Sequence, residues 1–251
     1  MNVSLLQMDI DWASPSENIR RAEELISTAD SNTDLYVLPE MWATGFVMEP
    51  EGIAEEEASS EALGWMRQTA RQRGCAVSGS LAVKVADGTF RNRHYFVTPD
   101  ATFHYDKHHL FSHGHENKHY TCGDRPVIVS WQGVRILLLT CYDLRFPVFS
   151  RYGRAGEYDV ILCVANWPAK RQQAWHVLTR ARAIENQCYL VAVNRVGNDP
   201  ACAYSGGSLV ADPKGDAITL DDSQRTLSID LNMERLQAMR HSFRVLDDRD
   251  V

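Results

Sequence analysis

Apolar segments of strand length alternate with amphipathic segments of helical period along most of this chain, and that alternation restricts it to an α/β architecture. The opening VSLLQMDI (3–10) has the composition of a strand. SPSENIRRAEELI then reads as a helix start, with Ser14 as N-cap, Pro15 at the first helical position and Glu17 completing a capping box. Ile19, Ala22, Leu25 and Ile26 supply its apolar stripe. DLYVLPE is a short buried strand, and residues 60–73 form a second helix with Leu63, Met66 and Ala70 inward and Gly74 as its stop. CAVSGSLAV and FRNRHYFVTP flank an Asp87-Gly88 turn as a hairpin; ATFHYD leads into a polar segment, residues 107–125. VIVSW and VRILLLT flank Gln132-Gly133 as another hairpin. Helical segments near 146–155, 170–186 and 232–241 separate or follow strands near 159–164, 188–194, 206–211, 216–221 and 226–231. GSLAV (79–83) and GGSLV (206–210) hint at a duplicated architecture.

No linker or low-complexity run divides the 251 residues, so the expectation is one domain, 1–251, with roughly 70–75% of its surface buried. The net charge of −7 and the lack of any Lys/Arg-rich run argue against a nucleic-acid partner. Apolar stretches such as VRILLLTCY fall far short of the ~20 residues that span a bilayer, so no membrane partner is expected. The opening MNVSLLQMDIDW carries acid where a signal peptide needs basic residues. Six cysteines (Cys75, Cys122, Cys141, Cys163, Cys188 and Cys202) form no CxxC pair and are too sparse for a disulfide scaffold; a cytoplasmic setting fits best.

Three polar residues stand where such a fold presents chemistry. Cys141 follows the apolar run 136–139 and precedes YDLRFPVFSRY, which turns helical after Pro147. A side chain at a sharp strand-to-helix turn projects from the sheet end, as in a nucleophile elbow, and a helix N-terminus nearby favours thiolate. The plainer alternative is the last buried residue of a strand. Glu40, in YVLPEMWATGF, directly follows a buried strand and a proline, at the end where open α/β sheets place ligands. Shielded by Trp42 and Phe46 it has the surroundings of a general base; otherwise it is a loop glutamate. Lys107, in FHYDKHHLFSHGHEN, also follows a short strand and could steady an oxyanion, although most lysines are simply solvated.

Taken in order, LPEMWATGF, YDKHHLFSHGHEN and TCYDLRFP resemble the three signature blocks of the nitrilase (carbon–nitrogen hydrolase) superfamily, and the resemblance runs from the first strand through NRVG and GGSLVADPKG. YDKHHLF, TCYDLRFPV, VANWPA and ARAIENQ are similar to ω-amidases of the 2-oxoglutaramate type. The resemblance implies a four-layer α-β-β-α sandwich. It implies Cys141 as nucleophile, Glu40 as general base, and Lys107 as oxyanion stabiliser with the backbone N–H of Tyr142 as second donor. Glu116 matches a second family glutamate that positions Lys107 or assists proton transfer. The implied reaction releases ammonia from the ω-amide of a short 2-oxo acid through a thioester, without metal or cofactor. One alternative is another amide, N-carbamoyl or nitrile hydrolase with the same residues; another is a non-enzymatic metal-binding protein.

A substrate with a 2-oxo-carboxylate needs a cation near the sulfur. Arg145 is the first candidate, since related carbamoylases use an arginine in this block, unless an ion pair with Asp143 occupies it; Lys170 and Arg171 are others. Trp42, Phe46, Phe111, Tyr142 and Trp167 are candidate pocket walls or plain core. His109/His113 and His115/His119 have the i, i+4 spacing of a zinc clamp, but Gly114 interrupts any helix there and the segment reads as a polar loop. Trp175, Leu178, Ala181 and Ile184 lie near helical spacing, as a stripe that faces either the core or a partner. The resemblance adds a homodimer packed through this helix and the one after Cys141.

Overall fold

In a strand buried on both faces, successive side chains must feed two different cores. The computed structural model, which describes residues 1–223 and 225–250, meets that requirement in its first strand, β1 (Asn2–Gln7): Val3 and Leu5 point to one side and Leu6 to the other. The chain continues through α1 (Pro15–Ser27), β2 (Leu35–Val37), β3 (Glu55–Glu56), α2 (Glu61–Arg73), β4 (Ala76–Lys84), β5 (Phe90–Val97) and β6 (Thr102–Asp106). After a short helix, α3 (Glu116–His119), come β7 (Val127–Trp131), β8 (Val134–Thr140), α4 (Pro147–Ser150), β9 (Val160–Ala165), α5 (Gln172–Glu185) and β10 (Tyr189–Asn194). Five short strands, β11 (Val196–Asn198), β12 (Ala203–Ser205), β13 (Leu209–Ala211), β14 (Ala217–Thr219) and β15 (Arg225–Asp230), precede α6 (Met233–Ser242).

One sheet runs β15-β1-β2-β4-β5-β6, with β3 beside β4; the other runs β14-β13-β10-β9-β8-β7. Three hydrophobic layers glue four structural ones. Ala22, Leu25 and Ile26 of α1 and Leu63, Met66 and Ala70 of α2 pack on Leu6, Val77 and Leu81. Between the sheets, Leu5, Val37 and Phe96 meet Ile136, Leu138, Leu162 and Val191. Leu137, Leu139, Ile161 and Leu190 take the outer face with Trp175 and Ala183 of α5. This is the α-β-β-α layering expected.

Each sheet has three parallel strands at its centre, β1-β2-β4 and β8-β9-β10, with antiparallel neighbours outside. The duplication is therefore real in topology. The pentapeptides that hinted at it are not equivalent: GSLAV lies in a central parallel strand, whereas GGSLV leads into the antiparallel β13.

Several local expectations need correction. Ser14 makes no side-chain cap; Glu17 turns instead to Arg20 and Arg21, and buried Asn18 fixes the helix entry by bonding both the N–H and C=O of Asp11. The helix after Pro147 is a single turn, and β13 and β14 are shorter than read. The polar segment after Lys107 holds one-turn helices on either side of His115, whose φ of +63° breaks the path. By contrast Ser60 caps α2 (Oγ accepts from Leu63 N–H, 3.0 Å), and Gly74 ends it at φ +65°.

Candidate active site

Cys141 closes β8 with φ +47°, a left-handed conformation that costs a non-glycine residue about 1–2 kcal/mol. A five-residue 3-10 turn, Cys141–Arg145, follows. Asp143 holds this elbow. Its fully buried carboxylate accepts from Thr140 N–H (2.9 Å), Tyr105 Oη (2.8 Å) and His109 N–H (2.9 Å), and lies 2.8 Å from His109 Nδ1. The turn that carries Cys141 and the segment just after Lys107 are thus tied to one side chain.

Behind the elbow, Glu40, Lys107 and Glu116 form a wholly buried cluster. Lys107 Nζ donates to Glu40 Oε1 (2.8 Å) and to both oxygens of Glu116 (3.1 and 2.9 Å), which uses all three of its N–H groups. Burial disfavours the ammonium, but Glu116 and Glu40 outweigh it and hold Lys107 protonated well above its ordinary range. Burial and the charge of Glu40 raise Glu116 against the pull of Lys107.

Cys141 adjoins this cluster through Asn166. Its Sγ lies 3.9 Å from the Asn166 carbonyl, and Asn166 N–H donates to Glu40 Oε2 (2.8 Å). Burial first, then Glu40, push the thiol well above its ordinary pKa; Lys107 opposes them. The expected thiolate is therefore corrected to a thiol at rest. One short turn at Tyr142 cannot offset full desolvation beside a carboxylate. Tyr142 is the second residue of that turn, where a backbone N–H has no partner within the helix.

Cys141, 8% exposed, opens into a cavity of about 250 Å³. Phe46, Phe111, Tyr142, Arg145, Trp167, Lys170 and Arg171 line it, and among the described residues no carboxylate does. Phe46 lies 5.2 Å from Lys107 Nζ, and Phe111 N–H donates to Glu116 Oε2 (2.6 Å), so two walls also touch the buried cluster. Trp42 is not a wall. It is fully buried among Leu38, Met66 and Trp65 on the helix side of the first sheet, over Gly79, where a Cβ would sit 2.9 Å from its ring. Arg145 has no ion pair with Asp143; its guanidinium lies 4.8 Å from the Trp167 ring, and that of Arg171 lies 5.2 Å from the Phe111 ring. Among the described residues, neither arginine nor Lys170 pairs with an acid.

Three contributors escape a reading of the sequence. Asn92 donates to both Glu40 Oε1 (2.7 Å) and Glu116 Oε1 (3.0 Å). Asn166 ties Glu40 at both ends, its Nδ2 also donating to the Glu40 carbonyl (2.7 Å). The β11–β12 hairpin brings Ala201, Cys202 and Tyr204 to the cavity. For Asn92 a signal existed: an amide on the same strand face as His94 and Phe96 is oddly polar for a residue between sheets. Among the described residues, no group of three or more His, Cys, Asp or Glu could hold a metal ion, and no helix is long and apolar enough to cross a membrane.

Comparison with known proteins adds identity to this geometry. A family model described as carbon-nitrogen hydrolase matches residues 2–241. The chain is 41% identical to omega-amidase YafV of Escherichia coli (strain K12), over 100% of this chain and 97% of that one. It is 33% identical to 2-oxoglutaramate amidase of Bacillus subtilis (strain 168), over 98% and 96%. A crystal structure of a CN-hydrolase superfamily protein from Xanthomonas campestris, with an arsenic adduct in its active site, superposes with a TM-score of 0.95 at 36% identity, covering 100% of this chain and 97% of that one.

Proposed function

This chain belongs to the carbon–nitrogen hydrolase family, and from that premise we propose that it is an ω-amidase that hydrolyses the terminal amide of a short 2-oxo acid of the 2-oxoglutaramate type to the 2-oxo diacid and ammonia. One observation carries the reading: a thiol backed by a buried acid–lysine–acid cluster opens into a cavity whose lining offers Arg145, Lys170 and Arg171 and no carboxylate. Uncompensated cations in a partly apolar cavity favour an anionic ligand, and lining free of acids does not repel one. Arg145, beside Trp167, is placed to receive the substrate carboxylate, with Phe46, Phe111 and Trp167 against its carbon chain.

The chemistry follows from the resting thiol. Glu40 takes the Cys141 proton as sulfur attacks the amide carbon, so a reactive thiolate exists only when it has a partner to attack. The Tyr142 N–H and Lys107 receive the oxyanion. Lys107 frees one N–H for this by giving up its longest bond, 3.1 Å to Glu116 Oε1, and keeps the other two. Glu116 anchors Lys107. Protonated Glu40 then passes its proton to the amide nitrogen, which leaves as ammonia; it next takes a proton from the water that attacks the thioester and returns it to the Cys141 sulfur as the acid departs.

The test is ammonia release from 2-oxoglutaramate against glutamine, N-carbamoyl amino acids and simple nitriles. The keto-amide should lead by about a hundredfold or more in kcat/KM. A nitrile or carbamoyl compound leading by that margin would point to another reaction of the family.

The same reading makes residues 1–251 one catalytic domain acting as a cytoplasmic homodimer. Pairing of β1 with β15 across nearly the whole chain supports the first part. The dimer has support from apolar side chains left outside on the expected helices: Val148 of α4 (60% exposed) and Val177 and Ile184 of α5 (59% and 49%). Of the stripe read on α5, Trp175 faces the core and Ile184 faces out. Light scattering at micromolar concentration should give twice the mass of 28.4 kDa.

A further inference from the structure

We propose that Asn92 is a positioning residue that decides which oxygen of Glu40 receives the Cys141 proton. The inference rests on the reading of Cys141 as nucleophile and Glu40 as base.

Lone pairs on the two buried carboxylates carry the argument, since each oxygen has two. Glu40 Oε1 faces Lys107 Nζ (2.8 Å) and Asn92 Nδ2 (2.7 Å). Glu116 Oε1 faces the same two donors (3.1 and 3.0 Å), and Glu116 Oε2 faces Lys107 Nζ (2.9 Å) and Phe111 N–H (2.6 Å). Glu40 Oε2 has one donor, Asn166 N–H at 2.8 Å. Among the described residues, the lone pair that meets no N–H or O–H donor is therefore on Glu40 Oε2, the oxygen bonded to the residue whose carbonyl lies against Cys141 Sγ. A proton leaving the sulfur is directed there.

Asn92 suits this task because an amide N–H cannot be lost near neutral pH, so it screens two acids from each other without joining their titration. Its orientation is fixed. Asn92 Oδ1 accepts from Ser80 Oγ (2.8 Å), and a flipped amide would set that oxygen against two carboxylates. Ser80 Oγ accepts in turn from Met41 N–H (2.9 Å), at a residue with φ +42° directly after Glu40. The relay therefore links the amide to the turn that aims the base. The titratable groups facing the pair are Lys107, Cys141 and the Tyr120 phenol.

Removing the amide leaves Glu40 Oε1 with an open lone pair and two carboxylates sharing one lysine, so the repulsion between them is less screened. The experiment is kcat/KM for ammonia release from 2-oxoglutaramate, from about pH 5 to about pH 10, for wild type, Asn92→Ala, Asn92→Asp and Ser80→Ala. Asn92→Ala should move the acid limb up by about one pH unit and lower plateau kcat at least about tenfold, with KM changed less than about threefold. Ser80→Ala should move the limb the same way by less. Asn92→Asp keeps the shape but replaces donors with a third acid, and should fall below Asn92→Ala above neutral pH. An acid limb unmoved in Asn92→Ala and Ser80→Ala, with activity reduced equally at every pH, overturns the inference; should Asn92→Ala not fold, Ser80→Ala decides by the same criterion. Cys141→Ala separates the two levels. Turnover in that variant sinks the nucleophile assignment itself, whereas a dead Cys141→Ala with unmoved limbs sinks only the role of Asn92.

Discussion

Glu40 and Cys141 work against each other at rest: the carboxylate proposed to accept the proton also makes the thiol reluctant to release it. This gives an outcome that separates electrostatics from activity. Glu40→Gln should abolish amide turnover yet lower the thiol pKa, so Cys141 should be alkylated faster by iodoacetamide near pH 8 than in wild type, followed by peptide mass spectrometry because Cys122 is exposed. Slower alkylation would mean that Glu40 assists ionisation of the free enzyme. Lys107→Met should raise the barrier by about 3–4 kcal/mol, a loss of several hundredfold in kcat, as for one oxyanion donor. Activity within about tenfold of wild type would remove Lys107 from that role. The four acid, lysine and thiol positions were legible because each ends a strand or sits in a motif block. Asn92 and Asn166 were not, because their partners come from distant segments: Glu40 is 52 residues from Asn92 and 126 from Asn166. Trp42 was misread because nothing local tells which side of a turn an indole will take; Gly79, on the neighbouring strand, makes the room it occupies.

Among the elements, the joint between β8 and the segment after β6 has the greatest leverage on the site. Among the described residues Asp143 is buried without a lysine or arginine partner, and Tyr105, Thr140 and His109 compensate its burial. Tyr105 extends the joint, since its hydroxyl also accepts from His108 N–H (2.9 Å). Asp143→Ala leaves buried donors on Tyr105, Thr140 and His109 unpaired, at about 1–3 kcal/mol each before relaxation. The variant should lose about 2–4 kcal/mol in urea unfolding and should lose kcat more than its stability accounts for, since Lys107 and Cys141 are no longer held in common. An unchanged kcat in the folded fraction would show that the two segments are positioned independently. At this scale the sequence revealed most strands better than their ends, and it missed the short β3, β11 and β12 altogether. Apolar runs such as 136–139 specify burial, but where a strand stops depends on its partner's register. That is why β13 and β14 shrank.

Across the whole molecule, the α/β class was readable from the alternating apolar patterns, whereas the four layers came from the resemblance to the family; the pairing of the two sheets was not written locally, since no local pattern says which faces meet. His94 marks that pairing. It projects from β5 between the sheets, with Nε2 2.9 Å from Ser78 Oγ in its own sheet and Nδ1 3.2 Å from the Leu139 carbonyl in the other. Burial pushes its pKa from 6.5 down to about 3, against weaker opposing effects of the Leu139 carbonyl and Asp143. Between those values the unfolded chain binds a proton that the folded one refuses, so this contribution to stability is fully present above about pH 6.5 and is lost as pH falls. At pH 5 the loss from His94 alone is about 2 kcal/mol. His104 and His176, also lowered by burial, add to the slope in any variant that retains them. His94→Gln should be less stable than wild type at pH 7, where it forfeits the contacts between sheets. Its stability should nevertheless fall less steeply between about pH 6.5 and about pH 5, so that the gap closes by about 2 kcal/mol in urea titrations. A gap that stays constant would mean that His94 accepts its proton in the folded state, and that the two sheets part locally to let water reach the ring beside the Leu139 carbonyl.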